Sequence, residues 1–121
     1  MRLKAHIWVK AFLRRCQAQG CFAAVARHGD DDAGSIYIRI NLLDGRSKLF
    51  VPAPMSFDNF DDTGAGRLWM PAFDQQAQTD AKVETYIQQQ MQLDSDFWVV
   101  EVEDRDGRDF LGDELYRSQM R

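Results

Sequence analysis

The chain has 121 residues, 45% of them hydrophobic and 28% charged, with a formal net charge of −4. One domain of this size buries roughly two-thirds of the surface its unfolded form exposes and needs no staple, and two cysteines are too few for a disulfide framework. The longest uninterrupted apolar stretch, Cys21 to Ala26, is far below the ~20 residues of a membrane span. Lys10 splits the N-terminal apolar segment and no small-residue cleavage site follows it, so it does not read as a secretory signal and the cytoplasm is the expected compartment.

The charge is unevenly distributed. Residues 1–29 hold six basic residues (Arg2, Lys4, Lys10, Arg14, Arg15 and Arg27) and no acidic one, which leaves nine basic against nineteen acidic residues in the remainder. Such asymmetry implies either a basic face for an anionic partner or a basic N-terminal part packed beside an acidic C-terminal part.

The first element is a helix from about Ala5 to Gln19, stopped by Gly20 where a left-handed residue commonly ends a helix. Ile7, Ala11, Trp8, Phe12, Cys16, Val9 and Leu13 cover a wide apolar arc, opposite a strip of His6, Lys10, Arg14 and Gln17. An arc this broad predicts burial against a sheet and a further contact at its flank. Residues 21 to 28 read as the first strand. From Ile36 to Leu42 the alternation predicts a half-buried strand, and Asp44-Gly45 predicts a tight type I′ turn into a return strand ended by Pro52 and Pro54.

A loop carrying Phe57 and Phe60 follows, then a short edge strand within Arg67 to Phe73. A second helix is expected from a Thr79 or Asp80 cap to about Gln92, with Val83, Tyr86, Ile87 and Met91 as its core stripe. Phe97 to Glu103 forms the last long strand, its Trp98, Val100 and Val102 on one face and Phe97 and Val99 giving way to Glu101 and Glu103 on the other. Asp106-Gly107 predicts a second hairpin, with Arg108 to Leu111 returning. The expected fold is α+β: a mainly antiparallel sheet of about five strands, with an N-terminal helix and a second helix packed on it. Residues 1–111 are expected to form one domain, and 112–121 a frayed or weakly helical tail.

No residue is assigned as catalytic, because the sequence lacks a nucleophile elbow, a phosphate loop and a dinucleotide glycine fingerprint. Cys16, Cys21, His6 and His28 match no zinc spacing, and a calcium loop centred on Gly107 would lack its first and twelfth ligands. No cofactor is expected. Three constellations remain. Lys10, Arg14, Arg15 and Arg27 are the candidate site for nucleic acid or a phosphorylated ligand, although a pI near 5.0 weighs against nucleic acid. Asp30, Asp32, Glu101 and Glu103 are a candidate divalent-metal site for a hydrolase, against the reading of paired glutamates as a wet strand face. Trp69 and Trp98, with Arg39, line a pocket or dimer surface if they are not core anchors. The leading expectation is a non-enzymatic module that binds a protein partner or a second copy of itself.

The segments IWVKAFLRR, RHGDDDAG, NLLDG followed by PAP, and WVVEVEDRDGRDFL resemble, as a set, a family of short alphaproteobacterial proteins designated domain of unknown function 1491. The resemblance spans roughly residues 2 to 111, with the Phe57 to Gly66 loop longer than the group suggests. It implies a small bacterial cytoplasmic protein and carries no activity or site residue with it.

Overall fold

The alternation of Ile36, Ile38 and Ile40 with Tyr37, Arg39 and Asn41 sets two faces, because successive strand residues point opposite ways. All three isoleucines are fully buried. The computed structural model describes residues 3–54 and 67–116. Its elements are α1 (Ala5–Ala18), β1 (Phe22–Arg27), β2 (Ile36–Asn41), β3 (Arg46–Pro52), β4 (Trp69–Pro71), β5 (Ala77–Thr79), α2 (Asp80–Leu93) and β6 (Trp98–Glu103), then a 3-10 turn at Gly112–Glu114.

The fold is α+β, and its sheet has six strands in the order β1-β6-β2-β3-β4, with β5 also paired to β3. The last strand, β6, lies between the first two, antiparallel to β1 and parallel to β2. The other pairs are antiparallel. β5 is the strand that the sequence pattern did not show: three residues, Ala77–Thr79, continue the edge that β4 begins.

The two helices cover opposite faces. α1 lies on the isoleucine face, where Trp8, Val9, Phe12 and Cys16 join Phe50, Trp69, Trp98, Val100 and Val102 in the larger core. Gly20, at φ 82°, ends α1 as expected. Cys21 N–H donates to Cys16 O at 3.1 Å and Gly20 N–H to Gln17 O at 2.9 Å, the paired closure that satisfies a helix's last carbonyls. Ile7 and Ala11, at the margin of the apolar arc, are exposed. α2 begins where Thr79 Oγ1 accepts the Lys82 N–H, and its Val83 and Ile87 pack with Leu49, Val51, Phe97 and Val99 in a smaller second core. Among the described residues no helix is long and apolar enough to cross a membrane.

Three expectations are corrected. The β2–β3 connection is wider than a two-residue type I′ turn. Leu42 N–H bonds to Arg46 O, and positive φ falls on Leu43 (63°) and Gly45 (89°), with none at Asp44. Asn41 and Asp44 shape the loop instead, each accepting a backbone N–H two residues on. There is no return strand after Gly107. The Asp104 carboxylate accepts from the Asp106 and Arg108 N–H groups and the Arg108 guanidinium, which turns the chain away from the sheet. The third is a correction in part: residues 112–116 are docked rather than frayed, and Gly112–Glu114 takes the weakly helical alternative as a 3-10 turn. Trp8 Nε1 donates to Glu114 at 2.8 Å, Arg15 pairs with the same carboxylate at 2.9 Å, and Tyr116 N–H bonds to Trp69 O. The Phe57 and Phe60 loop lies outside the described residues.

Glu114→Ala leaves the buried indole N–H of Trp8 without its acceptor and should cost about 1–3 kcal/mol. Lys4→Ala, which removes an exposed pair with Asp32 at 4.0 Å, should cost less than about 1 kcal/mol. Urea denaturation of the two variants measures the contrast.

Candidate functional site

The candidate site is built on the outer edge of β1. Trp98 N–H bonds to Ser35 O and Asp104 N–H to Asn41 O, so the even-numbered residues of β6 face β2. Strand geometry then turns the odd-numbered ones toward β1. Glu101 and Glu103 stand opposite Ala24 and Phe22, which therefore bond inward. Ala23 and Val25 turn their N–H and C=O groups outward, and no strand lies beyond them among the described residues. Phe22 is 60% exposed and Val25 38%.

The edge is partly guarded. The register shifts between Val25 and Arg27, so Ala26 is an extra residue, and a bulge of this kind shortens the regular edge. Gln17 of α1 donates a long 3.5 Å bond to the outward Ala23 O. Lys10 and Arg14 lie on the same helical strip as Gln17, at spacings of four and three, and both are exposed. One flank of the edge is thus basic. On the other face, Glu101 and Glu103 follow directly behind Ala24 and Phe22, and neither makes an ion pair among the described residues.

Behind the alanines, on the α2 face, lies a trough of about 260 Å³. Ala26, Val99 and Ile87 supply apolar lining, and Glu84, Gln88 and Met91 of α2, spaced i, i+4 and i+7 on one helix face, form its wall. Arg39 closes one side. It is only 12% exposed, and its guanidinium leans to α2 to meet Glu84 at 3.0 Å and Asp80 at 3.6 Å, with Nε on Ser47 Oγ. The Gln88 amide and then Arg39 hold the Glu84 carboxyl below its ordinary value. Glu101, beside Arg39 in register, receives only the Asn41 amide among the described residues, at 3.2 Å on Oε2. Arg27 lies over the Phe97 ring at 5.1 Å and donates to Ser95 O. Its Nε is buried with no acceptor among the described residues.

The residues singled out from sequence are dispersed. Lys10 and Arg14 are exposed on α1, Arg15 is held by Glu114, and Arg27 points to the opposite face of the sheet, so the four do not form one anion site. Asp30 and Asp32 sit in the turn before β2, where Asp30 caps the Asp32 and Ala33 N–H groups. Among the described residues no three His, Cys, Asp or Glu side chains converge to hold a metal, and the set Asp30, Asp32, Glu101 and Glu103 is not assembled. Trp69 and Trp98 are 1% and 3% exposed. Their indole N–H groups bond to Ile36 O and Asp30 O, which makes them core anchors. Burial, followed by the neighbouring Cys21, pushes the Cys16 thiol up to about 11. Of the candidates Arg27, Arg39 and Glu101 reach the trough. Glu84, Gln88 and Met91 carried a signal, their shared helix face, that a polar glutamine-rich run concealed.

These features define a two-faced α+β sheet domain with a bare edge at β1 and no assembled metal or anion centre among its described residues. The chain belongs to the family described as protein of unknown function DUF1491, whose model matches residues 3–112. A DUF1491 family protein from Caulobacter crescentus CB15, known as a crystal structure, is 34% identical with a TM-score of 0.76, and the match covers 97% of this chain and all of that one. An NMR structure of a DUF1491 family protein from the same organism is 35% identical, with a TM-score of 0.75 and coverage of 97% and 99%. A protein from A. tumefaciens solved in solution is 38% identical over 86% of this chain and 87% of its own, with a TM-score of 0.72. No curated protein matches the chain.

The lowered Glu84 carboxyl fixes the sign of one pH effect. A group whose folded value is depressed adds stability above its unfolded value and loses it as pH falls through the folded one. Gln88→Ala and Arg39→Met should each move the Glu84 titration, followed by carbon NMR, back up toward its ordinary 4.5. Each should also flatten the acid limb of the stability curve.

Proposed function

We propose that this protein is a non-enzymatic interaction module that accepts an extended segment of a partner protein as one more strand beside β1. The observation that carries the reading is the pair of outward-facing residues, Ala23 and Val25, at the bare end of a six-stranded sheet. In strand addition, main-chain hydrogen bonds supply affinity and alternate side chains supply specificity. The exposed Phe22 and Val25 offer one apolar contact on each face.

Charge selects the occupant. The Lys10–Arg14 strip flanks the edge on the α1 side, and Glu101 and Glu103 lie on the α2 side. The fitting segment carries acidic residues toward α1 and basic or aromatic residues toward α2. Self-pairing about a two-fold axis at the edge would set Lys10 and Arg14 against their own copies, which is unfavourable, so the occupant is a different chain. The bulge at Ala26 and the Gln17 amide keep the edge from pairing indiscriminately. The long Gln17 bond is the one that an incoming N–H replaces.

Val25→Pro tests the reading, because it removes an outward N–H while leaving the β1–β6 bonds in place. A partner bound by the native chain should bind this variant at least about tenfold more weakly, a loss of about 1.4 kcal/mol, while circular dichroism stays unchanged. Equal binding by the variant would overturn strand addition. Light scattering that shows a dimer dissolved by Val25→Pro would replace the partner with a second copy.

A further inference from the structure

The trough behind β1 has no role in main-chain pairing, yet it opens on the same face as alternate residues of an added strand. From this geometry, and resting on the strand-addition reading above, we infer that the trough is a side-chain subsite that takes a lysine or arginine of the bound segment, with Glu101 as its counter-charge.

The lane is set by register. A residue opposite Ala24 on the added strand shares its face, and next in line come Ala24, Glu101 and Arg39. Strands lie about 4.8 Å apart, so the guest residue starts roughly 10 Å from the Glu101 backbone. Ala24 has no side chain beyond Cβ to block the way. A lysine or arginine has the reach to cross it, with its methylene stem on the apolar lining at Ala26 and Val99 and its charged head beyond.

The charges in the trough exclude the opposite choice. Arg39 is engaged by Glu84, Asp80 and Ser47. Arg27 is held on the Phe97 ring and, through Nη2, on Ser95 O, and its Nε is buried out of reach of a guest. Of the trough's lining, Glu101 is the half-buried carboxylate with capacity left, since among the described residues it accepts only one neutral amide bond. A guest carboxylate would face Glu101 and Glu84 together. A neutral guest would leave Glu101 unpaired beneath it.

The test uses seven-residue peptides of alternating threonine and valine whose central residue is lysine, norleucine or glutamate. Each is titrated to millimolar concentration against the full chain, with amide shifts of Ala23 and Val25 reporting strand pairing. The lysine peptide should bind about tenfold more tightly than the norleucine peptide, and the glutamate peptide most weakly. Glu101→Gln should abolish the lysine preference while leaving norleucine binding unchanged, and added salt should shrink the preference in the native chain. Equal affinity for lysine and norleucine, or a preference that survives Glu101→Gln, overturns the subsite. If Val25→Pro still abolishes binding in that case, strand addition stands without it. No shift at Ala23 or Val25 with any peptide overturns both.

Discussion

The position of β6 is the constraint on which the rest of the molecule depends. It is the last strand in the chain and lies between the first two, so every ladder bond that holds β1 passes through it. Buried on both sides over its first half, β6 needs a continuous apolar run there, and Trp98, Val99 and Val100, with Phe97 just before the strand, provide it. Alternation returns only at Glu101 and Glu103, and that change marks where α2 ceases to cover the sheet. One strand thus sets both the depth of the core and the start of the open trough.

The same arrangement explains why carboxylates are left over on a face that also carries arginine. Arg39 and Glu101 are neighbours in register, yet α2 offers the guanidinium Asp80 and Glu84, and β3 adds Ser47. Several acceptors on one side outweigh one on the other. The basic surplus of the N-terminal segment is divided by the sheet: Arg15 neutralises Glu114 on one face, Arg27 caps Phe97 on the other, and Lys10 and Arg14 remain at the margin. Opposite charges at the two flanks of one edge follow from how the elements pack.

Much of the fold was legible because its signals are local. Gly20, the alternation from Ile36, the Thr79 cap and the Val83–Ile87 stripe each depend on a few neighbouring residues. What escaped is non-local or tertiary. The insertion of β6 between β1 and β2, which makes that pair parallel, depends on segments some sixty residues apart, and no periodicity records it. Asp106-Gly107 has the composition of a hairpin turn, but the Asp104 carboxylate gathers the nearby N–H groups and redirects the chain. The Asp44-Gly45 turn widened for a similar reason, with Asn41 and Asp44 side chains holding a longer loop. At the candidate site, tryptophan and arginine were visible as residue types, whereas the small alanines that leave an edge open carry no mark of their own.

The two cores also differ in what a spectroscopist would see. Trp8, Trp69 and Trp98 all belong to the core under α1, whereas Tyr37 and Tyr86 pack against the core under α2. Indole emission therefore follows one side of the sheet and is silent on the other. A loosening confined to α2, which rests on the smaller apolar cluster, would leave the tryptophan signal native, and only the tyrosines or amide exchange would register it.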